Sequence, residues 1–142
     1  MMDIPLSLTR ILEYGASVHG NTTVTTWHGE GTGSEFGPAE KVTFRDIAAR
    51  AAAFAHVLHD DLGITGDQRV GSFMWNCAEH LEVMFGSACK GAVFTPLNKQ
   101  LMNDQIRHII SHAEVSVIVC DPRLAPQLGT VLNGAPSVHS VI

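Results

Sequence analysis

The chain has 142 residues, 45% of them hydrophobic and 16% charged, which is enough to bury one sizeable core and too few to suggest two domains. Its net charge is −5, and its 9 Lys and Arg are evenly scattered, so no basic stripe is present to release counterions from nucleic acid and no such partner is expected. No run of about 18 uncharged apolar residues occurs, so no transmembrane helix is expected; a mean hydropathy of +0.13 leaves contact with a membrane surface open.

The amino terminus, Met1-Met2-Asp3-Ile4-Pro5, has no positive region ahead of a long apolar run, which argues against a secretory signal. Next, Leu8, Ile11, Leu12 and Val18 predict an amphipathic helix over 7–18, with Ser7 as N-cap and Gly20 as stop. Thr22 to Trp27 is rich in β-branched residues and is expected to pair with Lys41-Val42-Thr43 across a loop from His28 to Glu40. The result would be a hairpin with a long tip.

From Thr43 the pattern changes. Thr43 and Asp46 stand in near capping-box spacing ahead of Ile47, Ala48, Ala51, Ala55, Leu58 and Leu62, which predicts a helix ended by Gly63. Val70 to Trp75 reads as a buried strand. A helix over Ala78 to Lys90 follows, with Leu81, Met84, Phe85 and Ala88 on one face and Gly91 as its stop. The cycle repeats with a strand over Ala92 to Thr95 stopped by Pro96, a helix around Asp104 to Ala113, and a strand over Val115 to Cys120. A helix marked by Leu124, Leu128, Val131 and Leu132 comes next, then a strand in Val138 to Ile142. Strands and helices alternating in this way imply an α/β fold, a parallel sheet covered by helices in three layers with right-handed crossovers. Because the chain stops inside an apolar strand, the fold is expected to continue beyond Ile142.

Several constellations suggest chemistry, and each has a simpler explanation. Gly29-Glu30-Gly31-Thr32-Gly33-Ser34 has the glycine content of a phosphate loop, but the Lys and Ser/Thr that a Walker-type loop places at the helix start are missing, so a hairpin tip is expected. His108 and His112 lie four apart on a predicted helix, as in zinc proteases, but without the Glu after the first His; Glu114 and Cys120 are the nearest further donors in sequence. His56 and His59, Glu79 with Glu82, and Asp60 with Asp61 read as solvated helix faces. Gly86-Ser87-Ala88 falls mid-helix and lacks the form of a nucleophile elbow. Cys77, Cys89 and Cys120 are odd in number, widely spaced and set among apolar residues, which predicts reduced, core-packed thiols and a cytoplasmic address.

The series Val42-Thr43-Phe44-Arg45-Asp46-Ile47, Arg50-Ala51, Leu62-Gly63-Ile64, Gly66-Asp67-Gln68-Arg69-Val70, Trp75-Asn76, Lys90-Gly91-Ala92-Val93, Pro96-Leu97-Asn98, Gln105-Ile106, His108-Ile109-Ile110, His112-Ala113-Glu114 and Val117-Ile118-Val119 resembles, in order, the opening of the adenylate-forming, acyl-activating enzymes. Within them, Trp75-Asn76 with Glu79-His80-Leu81-Glu82, Ser111-His112-Ala113-Glu114 and Asp121-Pro122-Arg123-Leu124 are most similar to long-chain fatty acyl-CoA ligases. The resemblance implies the amino-terminal part of that fold, with a helix and hairpin over 1–41 and βαβ units over 42–142 in one domain. It further implies a parent enzyme that joins a fatty acid to CoA through an acyl-adenylate, using ATP, Mg²⁺ and CoA, and possible homodimer contacts through the amino-terminal region. The family's phosphate loop, Mg²⁺-holding Glu, ribose Asp and mobile Lys have no counterpart in 1–142, so no catalytic, cofactor-binding or metal residue is expected here, and the chain alone should be inactive. Pro96-Leu97-Asn98 would then serve as a strand terminator at the ligand side of the sheet. A truncated binding or dimerisation module, a fatty acyl-AMP ligase and a flavodoxin-like nucleotide binder are the competing readings.

Overall fold

A computed structural model describes residues 7–27 and 39–142. Helix α1 (Leu8–Val18) leads into strands β1 (Thr23–Trp27) and β2 (Ala39–Thr43), which pair antiparallel with Val24 opposite Val42. The glycine-rich stretch 29–34 lies outside the described residues. Helix α2 (Phe44–Asp60) is started by Thr43, whose hydroxyl accepts the Asp46 N–H at 3.2 Å and donates to the Asp46 carboxylate at 2.6 Å. This reciprocal cap satisfies an otherwise orphaned donor. The helix ends at Asp60, two residues before Leu62, and Gly63 takes the left-handed conformation in the turn beyond it.

The second half alternates as the spacing predicts: β3 (Arg69–Phe73), α3 (Ala78–Lys90), β4 (Val93–Pro96), α4 (Asn103–His112), β5 (Val115–Cys120), a 3₁₀ turn at Pro122–Leu124, α5 (Ala125–Leu132) and β6 (Ser140–Val141). The four strands form one parallel sheet in the order β4-β3-β5-β6. Pro96 belongs to β4 instead of merely stopping it, in register with Ser72. An edge strand tolerates proline because only one of its sides carries ladder bonds.

Helices cover both faces of the sheet. On one, Ile106 and Ile110 of α4 and Leu128 and Val131 of α5 meet Phe73, Val115 and Ile118. On the other, Leu58 of α2 and Ile64 meet Val70 and Val117. Neighbours Val117 and Ile118 thus serve opposite cores, as the strand period of two requires. Each such fully buried aliphatic side chain is worth about 1.5–3 kcal/mol. An outer layer forms where α1 and the hairpin, through Leu12 and Val42, close over Ile47, Ala51, Ala78 and Phe85.

Two expectations need correction. The apolar face predicted for α3 is too narrow: Val83, Gly86 and Ser87 are buried with Phe85, whereas Leu81 and Met84 are only partly so. Enclosed by α1 and α2 on one side and the sheet on the other, α3 buries more than one stripe. The three thiols are not all in the core either. All are free, but Cys89 is exposed and Cys77 and Cys120 are half-buried. An apolar neighbourhood in sequence does not bury a helical residue, since each step turns the side chain by about 100°.

At the end of α4, Glu114 has φ +51, a left-handed position usually held by Gly or Asn. A side chain in that conformation costs about 1–2 kcal/mol, which the packing of α4 and β5 on either side must offset.

Candidate functional site

In a parallel sheet ordered β4-β3-β5-β6, the chain leaves β3 to one side for β4 and then crosses back past β3 to reach β5. At such a reversal the loops after neighbouring strands diverge and open a crevice at their carboxyl ends. A cleft of about 1010 Å³ lies there. Its walls are the segment after β3 (Met74 to Cys77), the turn after β5 (Cys120 to Leu124), Lys99 from the loop after β4, and Thr26 and Trp27 from the hairpin.

Local chemistry holds these loops in place. The Asp121 N–H donates to the Phe73 carbonyl at 3.0 Å, tying the end of β5 to the end of β3. Asp121 caps the 3₁₀ turn by accepting the Arg123 N–H at 2.9 Å, and it receives the Arg123 guanidinium on both oxygens, at 3.0 and 2.6 Å. Hydrogen bonding to Arg123 keeps the Asp121 carboxyl below the usual carboxylate range. The Lys99 carbonyl accepts from Gln127 of α5 at 3.0 Å, and Lys99 Nζ lies 3.8 Å from the centre of the Trp75 ring, a cation–π contact that holds the ammonium over the cleft.

The first N–H of α3 is already used: Ala78 donates to the buried Thr26 hydroxyl at 3.1 Å. That bond fixes the hairpin against the start of α3, at the rim of the cleft, and satisfies a donor that burial would otherwise leave unpaired.

The groups in and around the cleft suit binding better than covalent chemistry. Burial first, then hydrogen bonding with Glu79, pushes the Cys77 thiol up to about 11, and burial with the Asp121 charge raises Cys120. Both are thiols at neutral pH, hence weak nucleophiles. Behind the cleft, Ser72 Oγ and His80 Nε2 share a hydrogen bond at 2.8 Å, a pair with the composition of a nucleophile and its base. Ser72, however, is only 1% exposed, so no substrate reaches its hydroxyl.

Burial, and then the charge of Lys99, holds the His80 imidazole below its usual value of 6.5. A histidine depressed in the folded state binds fewer protons folded than unfolded. Its contribution to stability is therefore complete above about 6.5 and is lost as pH falls from there through the folded value. Unfolding experiments at pH 7.5 and 5.5 should show lower stability at 5.5, with part of that slope missing in His80→Gln. An identical slope in the variant would contradict the assignment.

The structure does not gather the candidates suggested by sequence into one site. His108 and His112 are exposed on α4 with stacked rings, centroids 5.7 Å apart. Cys120, at the far end of β5, belongs to the cleft instead. His56 and His59 are exposed on α2, where His59 Nδ1 lies 2.8 Å from the Asp60 carboxylate; Asp61 caps the same helix. Glu79 lines the cleft, whereas Glu82 binds Arg50 of α2 at 3.3 Å. The Ser87 hydroxyl, fully buried, donates to the Val83 carbonyl at 2.7 Å. Among the described residues no three His, Cys, Asp or Glu come together as a group that could hold a metal ion. Sequence reasoning missed Lys99 over Trp75, because their meeting depends on which loops the strand order brings together. The Asp121-Pro122-Arg123 fork was within reach, since an Asp cap two residues before an Arg is a local signal.

A family model described as AMP-binding enzyme matches residues 12–142. A long-chain-fatty-acid–CoA ligase of Thermus thermophilus is 31% identical over all 142 residues, covering 25% of its own length. A 3-methylmercaptopropionyl-CoA ligase of Ruegeria lacuscaerulensis is 28% identical over the same span, again 25% of its length. The chain thus spans about a quarter of these curated relatives. Among solved structures, an anthranilate CoA ligase in complex with anthranoyl-AMP superposes with a TM-score of 0.79 at 23% identity, over 99% of this chain and 26% of that one.

Proposed function

The chain belongs to the AMP-binding enzyme family and has the fold of the amino-terminal domain of adenylate-forming enzymes, and from that premise we propose that it is the amino-terminal part of an ATP-dependent fatty acid–CoA ligase. The observation that carries this reading is the family match over residues 12–142 joined to a cleft at the switch point of the sheet, on the side where open α/β sheets meet their ligands. The 31% identity to a long-chain-fatty-acid–CoA ligase and the Trp75-Asn76 and Ser111-His112-Ala113-Glu114 strings favour a fatty acid as the acyl substrate.

In this reading the parent converts a carboxylate, a poor electrophile, into an acyl-adenylate with release of pyrophosphate, and the CoA thiol then displaces AMP. One domain over 1–142 supplies scaffold and one wall of a substrate site and no catalytic group, so the chain alone is inactive. Trp27 and Trp75 place aromatic rings in the cleft wall, and Lys99 offers a cationic group to the anionic phosphates of a nucleotide substrate. ATP and CoA are the cosubstrates; Mg²⁺ accompanies ATP on residues outside this chain, and the cytoplasm is the compartment. No helix among the described residues is long and apolar enough to cross a membrane.

A second copy of the parent is the proposed partner of α1. Leu8, Ile11, Tyr14 and Val18 are 47–59% exposed and recur at helical spacing on one stripe. Ile11→Asp with Tyr14→Asp is expected to turn a dimer into a monomer in sedimentation, and an unchanged assembly would overturn that part of the reading.

The cleft is tested in the parent enzyme by Lys99→Ala. The loss of one charge-assisted contact, about 1.5 kcal/mol, should raise KM for a nucleotide substrate about tenfold, while loss of the contact with Trp75 lowers the thermal midpoint only slightly. Unaltered KM values for both ATP and CoA would remove the cleft from the substrate site.

A further inference from the structure

Helix α4 carries a feature that the ligase reading does not use. His108 and His112 are both exposed, one turn apart, with ring centroids 5.7 Å apart and planes 17° from parallel. We propose that these two imidazoles form a surface site for a divalent late transition-metal ion of the nickel, copper or zinc type. Residues four apart on a helix stand one above the other, so the backbone already holds both nitrogen donors on one side and little side-chain freedom is lost when an ion bridges them. Imidazole nitrogen suits this class of metal, and the Irving–Williams order ranks copper above nickel and zinc.

The position along the helix adds to this. His112 is the last residue of α4, where unpaired carbonyls leave partial negative charge that favours a cation. The neighbouring Asp104 does not complete the site, because its carboxylate is held by Arg107 at 2.7 Å. Cys120 lies across the length of β5, in the cleft. Among the described residues no third His, Cys, Asp or Glu joins the pair, so water fills the remaining positions and leaves the ion open to exchange. Bridging one helical turn, the ion would also brace the end of α4, whose Ile106 and Ile110 are in the core under β5.

Nickel chloride alone is the probe, titrated calorimetrically into the full chain kept reduced. One saturable equivalent is expected. His108→Gln or His112→Gln, by removing one arm of the chelate, should weaken it about 100-fold. His56→Gln with His59→Gln, which alters the other exposed histidine pair, should leave it unchanged. At a nickel concentration 100 times the dissociation constant, the folding equilibrium of the wild-type chain should rise about 100-fold, seen as a higher thermal midpoint that His108→Gln/His112→Gln does not show. Circular dichroism of that double variant without metal should match the wild type, since both side chains are exposed. Absence of saturable binding, or binding that is lost with His56 and His59 and kept without His108 and His112, overturns the proposal.

Discussion

Phe73→Ala is expected to destabilise the protein by about 3–5 kcal/mol, the range for removing a buried aromatic ring when its surroundings only partly collapse. Phe73 has no exposed surface and is the largest fully buried side chain among the described residues. It belongs to the buried cluster that also holds Leu97, Ile106, Ile110 and Ile118, so the cavity would open in the core between the sheet and the helices on that face. Its backbone is equally placed: it is the last residue of β3, in register with Cys120, and its carbonyl receives the Asp121 N–H. Loss of the ring should therefore loosen the floor of the cleft as well as the core. Urea unfolding followed by far-ultraviolet dichroism measures the first effect. A loss under about 1 kcal/mol would mean that this cluster is not the main core.

Gly86→Val is the second large effect, and its sign follows from close approach. A Cβ at Gly86 would stand 2.7 Å from Cδ1 of Phe54 and 2.8 Å from the Ala51 carbonyl oxygen. The Phe54 ring can swing away, but the carbonyl is part of the α2 backbone and cannot, so the two helices must separate. Overpacking of this kind costs about 1–3 kcal/mol, and a branched side chain belongs at the upper end. Valine recovers only a few tenths of a kcal/mol of helix propensity over glycine. The net result is a loss of about 2–3 kcal/mol at the contact between α2 and α3. A neutral Gly86→Val midpoint would show that the helices part without cost.

Much of this fold was legible because its signals are local. Gly91 marks the end of α3 by a left-handed φ of +82 that few other residues adopt, and the β-branched Val115, Val117, Ile118 and Val119 favour a strand over a helix. The Thr43 cap follows from residue type and spacing alone. The order of the strands was not legible, because it is set by which crossover passes which neighbour, a long-range matter absent from any window of sequence. The cleft inherits that limit: Trp75 and Lys99 are 24 residues apart and meet only because β4 and β3 are adjacent. Cys89 shows the same limit on a smaller scale, since its exposure depends on where α2 and the sheet lie around α3. His108 and His112 were visible as a pair from their spacing; the stacking of their rings needed the structure.

The central claim is that this chain opens a fatty acid–activating ligase. Isotope exchange of labelled pyrophosphate into ATP by the full-length protein tests it most directly, because it reports acyl-adenylate formation without needing CoA. Exchange that depends on added fatty acid, followed on CoA addition by thioester formation and AMP release, is the predicted result. Exchange without the thioester would place the parent among acyl-AMP ligases. No fatty-acid-dependent exchange from a folded full-length protein would contradict the account.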